Sequence, residues 1–111
     1  YRGYAAWTAE GRSTVNDTPV SVPGKVVDGE VLLPIRAVAE AAGCKVEWVK
    51  GWGAVVSEAD GSLLFSVLPG QDTAQTADGE WALSGACFFE SGTTYLPAGD
   101  LAALLNLFLA D

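Results

Sequence analysis

Residues 28–43 read DGEVLLPIRAVAEAAG, and this stretch decides the fold. The same pattern returns 63 residues later, without a gap, as SGTTYLPAGDLAALLN over residues 91–106. Each stretch contains a turn, an apolar strand, a Leu-Pro pair and apolar residues at helical spacing. A repeated turn, strand and short helix is typical of a small duplicated scaffold. The repeat points away from a catalytic site.

The first copy predicts a β-hairpin followed by a helix. Asp28-Gly29 supplies the two positive-φ positions of a type I′ turn. Pro34 cannot donate to a strand ladder, so it ends the strand after Leu33, and we expect the helix to begin at this proline. Gly43 suits the left-handed residue that follows a helix. The helix presents one apolar stripe, made of Ile35, Val38, Ala39 and Ala42.

The second copy repeats the same devices with different residues. Leu96 and Pro97 end its strand, and Asn106, which also tolerates the left-handed conformation, stands where Gly43 stood. Its helix repeats the apolar stripe with Ala98, Leu101, Ala102 and Leu105. We therefore predict an α+β fold with two copies of a β-hairpin–helix–strand unit, over about residues 20–48 and 83–111. Antiparallel sheet or sheets would curl around the two short helices.

Strands are also predicted outside the repeated stretches. Residues 4–16 read as a hairpin around a glycine turn, and Asp-Gly pairs at 60–61 and 78–79 indicate two more. Residues 44–48 alternate with period two, which predicts a half-buried strand that places Cys44, Val46 and Trp48 on one face. We expect Trp48 to lie in the core.

Composition limits the classes of function. The 111 residues suit one domain, and 50% of them are hydrophobic, enough for a core without metals. A formal charge of −8, with no Lys or Arg after Lys50, argues against a nucleic-acid partner. No apolar run is long enough to span a bilayer. The first residues lack the basic start and apolar stretch of a signal peptide, so we expect none within this sequence.

The inventory of reactive side chains predicts no catalytic or metal site and no cofactor. The chain contains no histidine, which removes the commonest general base and most zinc and copper centres. Most acidic residues fall in or beside turns, where solvated carboxylates are the ordinary interpretation. Cys44 and Cys87 lack metal-ligand spacing. They are interpreted as two buried thiols, with a disulfide between them as the alternative.

Three residues are candidates for binding. Trp52 lies between glycines in a predicted turn, so its indole should be exposed and could stack on a sugar or anchor a protein interface; local packing over the turn is the alternative. Trp81 lies on a strand of undetermined facing and could assist. Arg36 opposes the helix dipole near the helix start, and pairing with Glu40 or a strand is its structural interpretation.

A family resemblance rests on residues 31–48, VLLPIRAVAEAAGCKVEW, and on the second occurrence from Tyr95 to Leu109. The chain resembles the copper amine oxidase N-terminal-like domain, also called the stalk domain, from Val20 to its end. The second copy departs from the family pattern at Gly99, Asp100 and Asn106. The resemblance implies an α+β module of secreted or cell-wall proteins of Gram-positive bacteria, in which this piece is non-catalytic.

These observations give two functional hypotheses. The first is an extracytoplasmic interaction or spacer domain that contacts another domain of the same polypeptide or a cell-envelope component. The second is a carbohydrate- or peptidoglycan-binding module that uses exposed tryptophan. An enzyme, a nucleic-acid partner and a membrane span are not expected.

Overall fold

A computed structural model describes residues 3–109 of the chain. Within this range the chain forms thirteen strands and two helices. In chain order they are β1 Gly3–Trp7, β2 Ser13–Val15, β3 Thr18–Pro19, β4 Lys25–Val27, β5 Glu30–Pro34, α1 Ile35–Ala41, β6 Lys45–Val49, β7 Gly53–Ser57, β8 Leu63–Val67, β9 Thr73–Thr76, β10 Gly79–Ala82, β11 Phe88–Glu90, β12 Thr93–Pro97, α2 Ala98–Leu104 and β13 Leu107–Leu109.

The strands form three sheets. The terminal sheet has the order β13-β1-β2-β3, the five-stranded sheet β10-β9-β8-β7-β6, and the hairpin sheet β11-β12-β5-β4. All pairs are antiparallel except β1 with β13, which run parallel. The α+β class, with two short helices and curled, mainly antiparallel sheets, is thereby confirmed.

The hairpin sheet joins the two stretches that share the sequence pattern. The central strands β5 and β12 pair antiparallel, with Leu33 opposite Leu96. Each strand is preceded by a tight turn, and Asp28 (φ 52°) and Ser91 (φ 51°) both adopt positive φ ahead of a positive-φ glycine. This is the backbone predicted from the Asp28-Gly29 pair.

The first helix begins one residue later than predicted, whereas the second begins at Ala98 as expected. Pro34 pairs with Tyr95 as the last residue of β5, and its extended backbone (φ −70°, ψ 125°) makes it the N-cap of α1. Pro97 stands in the same place before α2. A proline at this position costs few hydrogen bonds. Its missing N–H falls where neither the strand ladder nor the first helical turn needs a donor.

The helix ends follow the sequence prediction. Gly43 (φ 85°) comes after α1, and its N–H donates to the carbonyl of Glu40 while the N–H of Cys44 donates to that of Ala39. These two bonds make a Schellman motif, which satisfies carbonyls that a helix end leaves open. After α2 the same left-handed position is taken by Asn106 (φ 56°).

One core holds the sheets and helices together. Each helix has seven residues, too few to be stable alone in water, so packing must supply its stability. Residues buried in this core come from all three sheets and both helices, including Val15, Leu33, Ile35, Phe65, Leu96 and Leu101.

The strands that follow the helices differ in their partners. β6 joins the five-stranded sheet antiparallel to β7, whereas β13 joins the terminal sheet parallel to β1. The correspondence between the two stretches is therefore local, and it covers β4–β5–α1 and β11–β12–α2, whose strands and helices have equal lengths.

Candidate functional site

A groove of about 820 Å³ opens where the hairpin sheet and the five-stranded sheet approach each other. One wall is the outer face of α1, and a second is β6, through Val46 to Trp48. The segment from Pro19 to Val22 and the β11–β12 hairpin, through Phe89 and Thr94, complete it. Volumes of this order hold a small ligand or a few residues of a bound chain.

Trp48 is the largest side chain in the groove, and the prediction that it lies in the core is wrong. The alternating pattern placed it in the core, but it is 56% exposed. Burial decreases along the strand, from buried Cys44 through half-buried Val46 to exposed Trp48, because β6 is an edge strand that runs away from the core. Its cross-strand neighbour Ala54 is too small to cover the indole.

Phe89 faces Trp48 from the other sheet. The two ring centroids are 6.5 Å apart and the ring planes are tilted by 50°. Phe89 is 52% exposed because its neighbour Phe88 takes the inward face of β11 and packs against Tyr95, with ring centroids 6.1 Å apart. Sequence reasoning missed Phe89. The adjacent phenylalanines were the available signal, since two successive residues of a strand cannot face the same side.

The α1 wall is polar at its ends and shallow between them. Arg36 Nη1 lies 3.4 Å from Glu40 Oε2, and both side chains are exposed. The predicted Arg36–Glu40 contact is thus confirmed, although an exposed pair of this length contributes little to stability. Ala37, between them, and Ala41, directly after Glu40, are small and leave the space open.

The charges beside the groove are unevenly paired. Lys25 and Glu90 form an ion pair across the hairpin sheet, and the hydrogen bond to Glu90 raises the pKa of Lys25. The side chain of Glu47, in contrast, has no hydrogen-bond or ion-pair partner among residues 3–109. The charged residues that line the groove are Arg36, Glu40 and Glu47, so the lining carries one more negative than positive charge.

The other predicted binding residues do not share this site. Trp52 lies at the tip of the β6–β7 turn and is 59% exposed, which confirms its predicted exposure, but it is not part of the groove wall. Trp81 is 40% exposed on β10, the edge of the five-stranded sheet opposite β6. Four strand spacings, roughly 19 Å, separate those edges, so the structure does not bring Trp81 together with Arg36 or Trp52.

The predicted structural residues lie where the scaffold needs them. Leu33, Pro34, Leu96 and Pro97 are buried. Gly43 and Asn106 occupy the two left-handed helix ends.

The two cysteines are buried and not joined by a disulfide. Burial raises the pKa of Cys87 to about 12, so its thiol stays protonated and unreactive at neutral pH.

Residues 3–109 offer no group of three or more His, Cys, Asp or Glu side chains that could hold a metal ion. None of the helices in the described part of the chain is long and apolar enough to cross a membrane. What these residues do offer is a groove with two facing aromatic rings.

Comparison with known proteins identifies one family. Residues 14–108 match the family model described as the copper amine oxidase N-terminal domain. The matched range includes both helices, the five-stranded sheet, the hairpin sheet and the groove, whereas β1 of the terminal sheet lies before it. Comparisons with curated proteins and with solved structures gave no match.

Proposed function

The chain belongs to the copper amine oxidase N-terminal domain family, and on that premise we propose that it is a non-catalytic interaction domain. In copper amine oxidases this N-terminal domain is itself non-catalytic. The absence of histidine from the chain is consistent with a role in binding rather than in catalysis.

The observation that carries the proposal is the pair of exposed rings in the groove. Trp48 and Phe89 come from different sheets and face each other with more than half of each side chain accessible. Exposed aromatic residues grouped in a concave site are the residues that most often anchor interfaces.

The partner we propose is another domain of the same polypeptide or a component of the cell envelope. The support is the family resemblance, which also suggests a secreted or cell-wall-associated protein of a Gram-positive bacterium. The full-length reading frame together with cell fractionation tests the location. A cytoplasmic full-length protein would contradict it.

A photo-crosslinking experiment tests the interaction role. The full-length protein would carry p-benzoylphenylalanine in place of Phe89, or, as a control, in place of Trp81 at the opposite edge of the sheet. We expect crosslinks to a neighbouring domain or an envelope component from position 89 alone. Equal crosslinking from both positions, or none from position 89, would contradict the proposal.

Carbohydrate binding is a second candidate function. The groove places Arg36, Glu47 and Thr94 beside the two rings, a combination of polar groups and aromatic faces that suits sugars. Soluble wall-glycan fragments should then change tryptophan fluorescence, and Trp48→Ala should abolish the response while Trp52→Ala, outside the groove wall, should not. A response that persists in Trp48→Ala would remove this candidate.

We also propose that the scaffold arose from two copies of one hairpin–helix unit. Support comes from the offset of 63 residues, the equal element lengths and the matched left-handed positions. Trp48 and Arg36 have no counterpart in the second stretch. The groove is therefore formed by residues in which the two stretches differ. Ser91→Asp, which gives the second turn the residue of the first, should leave the stability of the whole domain unchanged in urea unfolding, and a large loss of stability would argue against it.

A further inference from the structure

We propose that the groove receives an extended peptide segment, which adds to the outer edge of β6 as a further strand and packs an apolar side chain against the paired rings of Trp48 and Phe89. This inference rests on the proposed interaction function and specifies its ligand. The ligand is a linear stretch of polypeptide with apolar and basic residues.

The first argument is the open edge of β6. The strand ends the five-stranded sheet, so its outer backbone groups have no strand partner within the described part of the chain. Val46, Glu47 and Trp48 all line the groove, although successive side chains of a strand point to opposite faces. A groove that meets three successive residues therefore contacts the edge of the strand as well as one face. An extended peptide can hydrogen-bond to such an edge.

The second argument is the apolar space directly beside that edge. Strand addition gains its specificity from pockets for alternate side chains of the added peptide. Here the rings of Trp48 and Phe89, which contact each other, form one wall of such a pocket, and the small residues Ala37 and Ala41 on α1 leave room beside them. The opposite edge strand, β10, exposes all four of its residues and does not line this groove.

The third argument is charge. The protein carries a formal charge of −8, and the groove lining is also net negative, with Glu40 and Glu47 against Arg36. A segment with Lys or Arg beside its apolar residue complements both the local charge and the overall field. Exposed charges attract over about 10 Å at ordinary ionic strength, so binding should weaken as salt is raised.

The first step of the test identifies a peptide probe. A displayed library of linear peptides of about eight residues, enough to cover the five residues of β6, is screened against the protein. We expect retained peptides to combine apolar and basic residues and to bind Trp48→Ala about 30-fold more weakly, as for a central aromatic anchor. Trp81→Ala serves as the matched tryptophan control and should bind as the wild type does.

The second step separates strand addition from simple side-chain contact. A retained peptide is resynthesised with backbone N-methyl groups at its odd or at its even positions. In an added strand only alternate N–H groups face the partner strand, so one methylated series should lose at least about tenfold in affinity while the other keeps it.

The outcomes are distinguishable. Equal tolerance of both methylated series, with Trp48 still required, would overturn strand addition but leave the interaction function intact. If the library yields no peptide that depends on Trp48 while wall-glycan fragments do bind through Trp48, the ligand is a sugar and the inference is wrong. If neither peptides nor glycan fragments bind in a way that depends on Trp48, the proposed function is overturned as well.

Discussion

Replacing Leu96 with alanine tests whether the pairing of β5 with β12 holds the two halves of the protein together. Leu96 is 0% exposed and lies directly opposite Leu33 at the centre of the hairpin sheet. Removing a buried leucine costs the transfer free energy of the lost atoms plus a cavity penalty, together about 3–4 kcal/mol where the surroundings cannot collapse. Two strands and two helices surround this site, so little collapse is expected.

The matched control is Leu63→Ala. Leu63 is also a strand leucine, but it is 42% exposed, and its truncation leaves no enclosed cavity. We expect this change to cost less than about 1 kcal/mol. The two variants delete the same atoms, so the difference between their free energies of unfolding isolates the effect of burial.

Urea and thermal unfolding, followed by tryptophan fluorescence and circular dichroism, measure both losses. For a chain of 111 residues the entropy of unfolding is about 0.23 kcal/mol/K, so Leu96→Ala should lower Tm by roughly 13–17 °C and Leu63→Ala by less than about 5 °C. Equal destabilisation by the two substitutions, or a loss below about 1 kcal/mol for Leu96→Ala, would refute the assignment of Leu96 to the shared core.

Three further outcomes are expected. Asn106→Ala should destabilise by about 1 kcal/mol and Asn106→Gly should not, because the residue holds φ at 56°; chemical denaturation compares them, and equal effects would contradict the left-handed cap. Asp100→Ala should cost about 1–3 kcal/mol, since Asp100 Oδ2 accepts hydrogen bonds from both Ser84 N (2.8 Å) and Ser84 Oγ (2.7 Å); a Ser84→Ala/Asp100→Ala double-mutant cycle without coupling would argue against this. Burial raises the pKa of Cys87 from 9.0 to about 12, so the folded state keeps a proton that the unfolded state loses, and stability should fall as pH rises from about 9 to 12; in Cys87→Ala this part of the pH dependence should be missing, and an unchanged profile would refute it.

The sequence predicts local features well, for identifiable reasons. The turn at Asp28-Gly29 and the helix end at Gly43 depend on the φ preferences of single residues, which are present in the chain whatever surrounds them. The apolar stripe of α1 likewise follows from residue spacing alone. The turn, the apolar stripe and the left-handed helix end are also the features that residues 28–43 and 91–106 have in common.

The groove could not be predicted in the same way. Alternation places Trp48 on a face of β6 but cannot say that β6 is the edge of its sheet, or where the core beneath it ends. Phe89 lies 41 residues further along the chain, in another sheet, and faces Trp48 only because the two sheets approach each other. Trp52, which the turn made conspicuous, is exposed but lies outside the groove wall.

The central claim is that partners bind at Trp48 and not at the other exposed tryptophans. The most direct measurement follows the indole N–H signals of the four tryptophans by NMR while a ligand of the full domain, peptide or glycan fragment, is titrated. Assignments come from the single variants Trp48→Phe, Trp52→Phe and Trp81→Phe. The account predicts a large, saturable shift of the Trp48 signal and an unmoved Trp81 signal. Saturable shifts at Trp81 with Trp48 unmoved would contradict it.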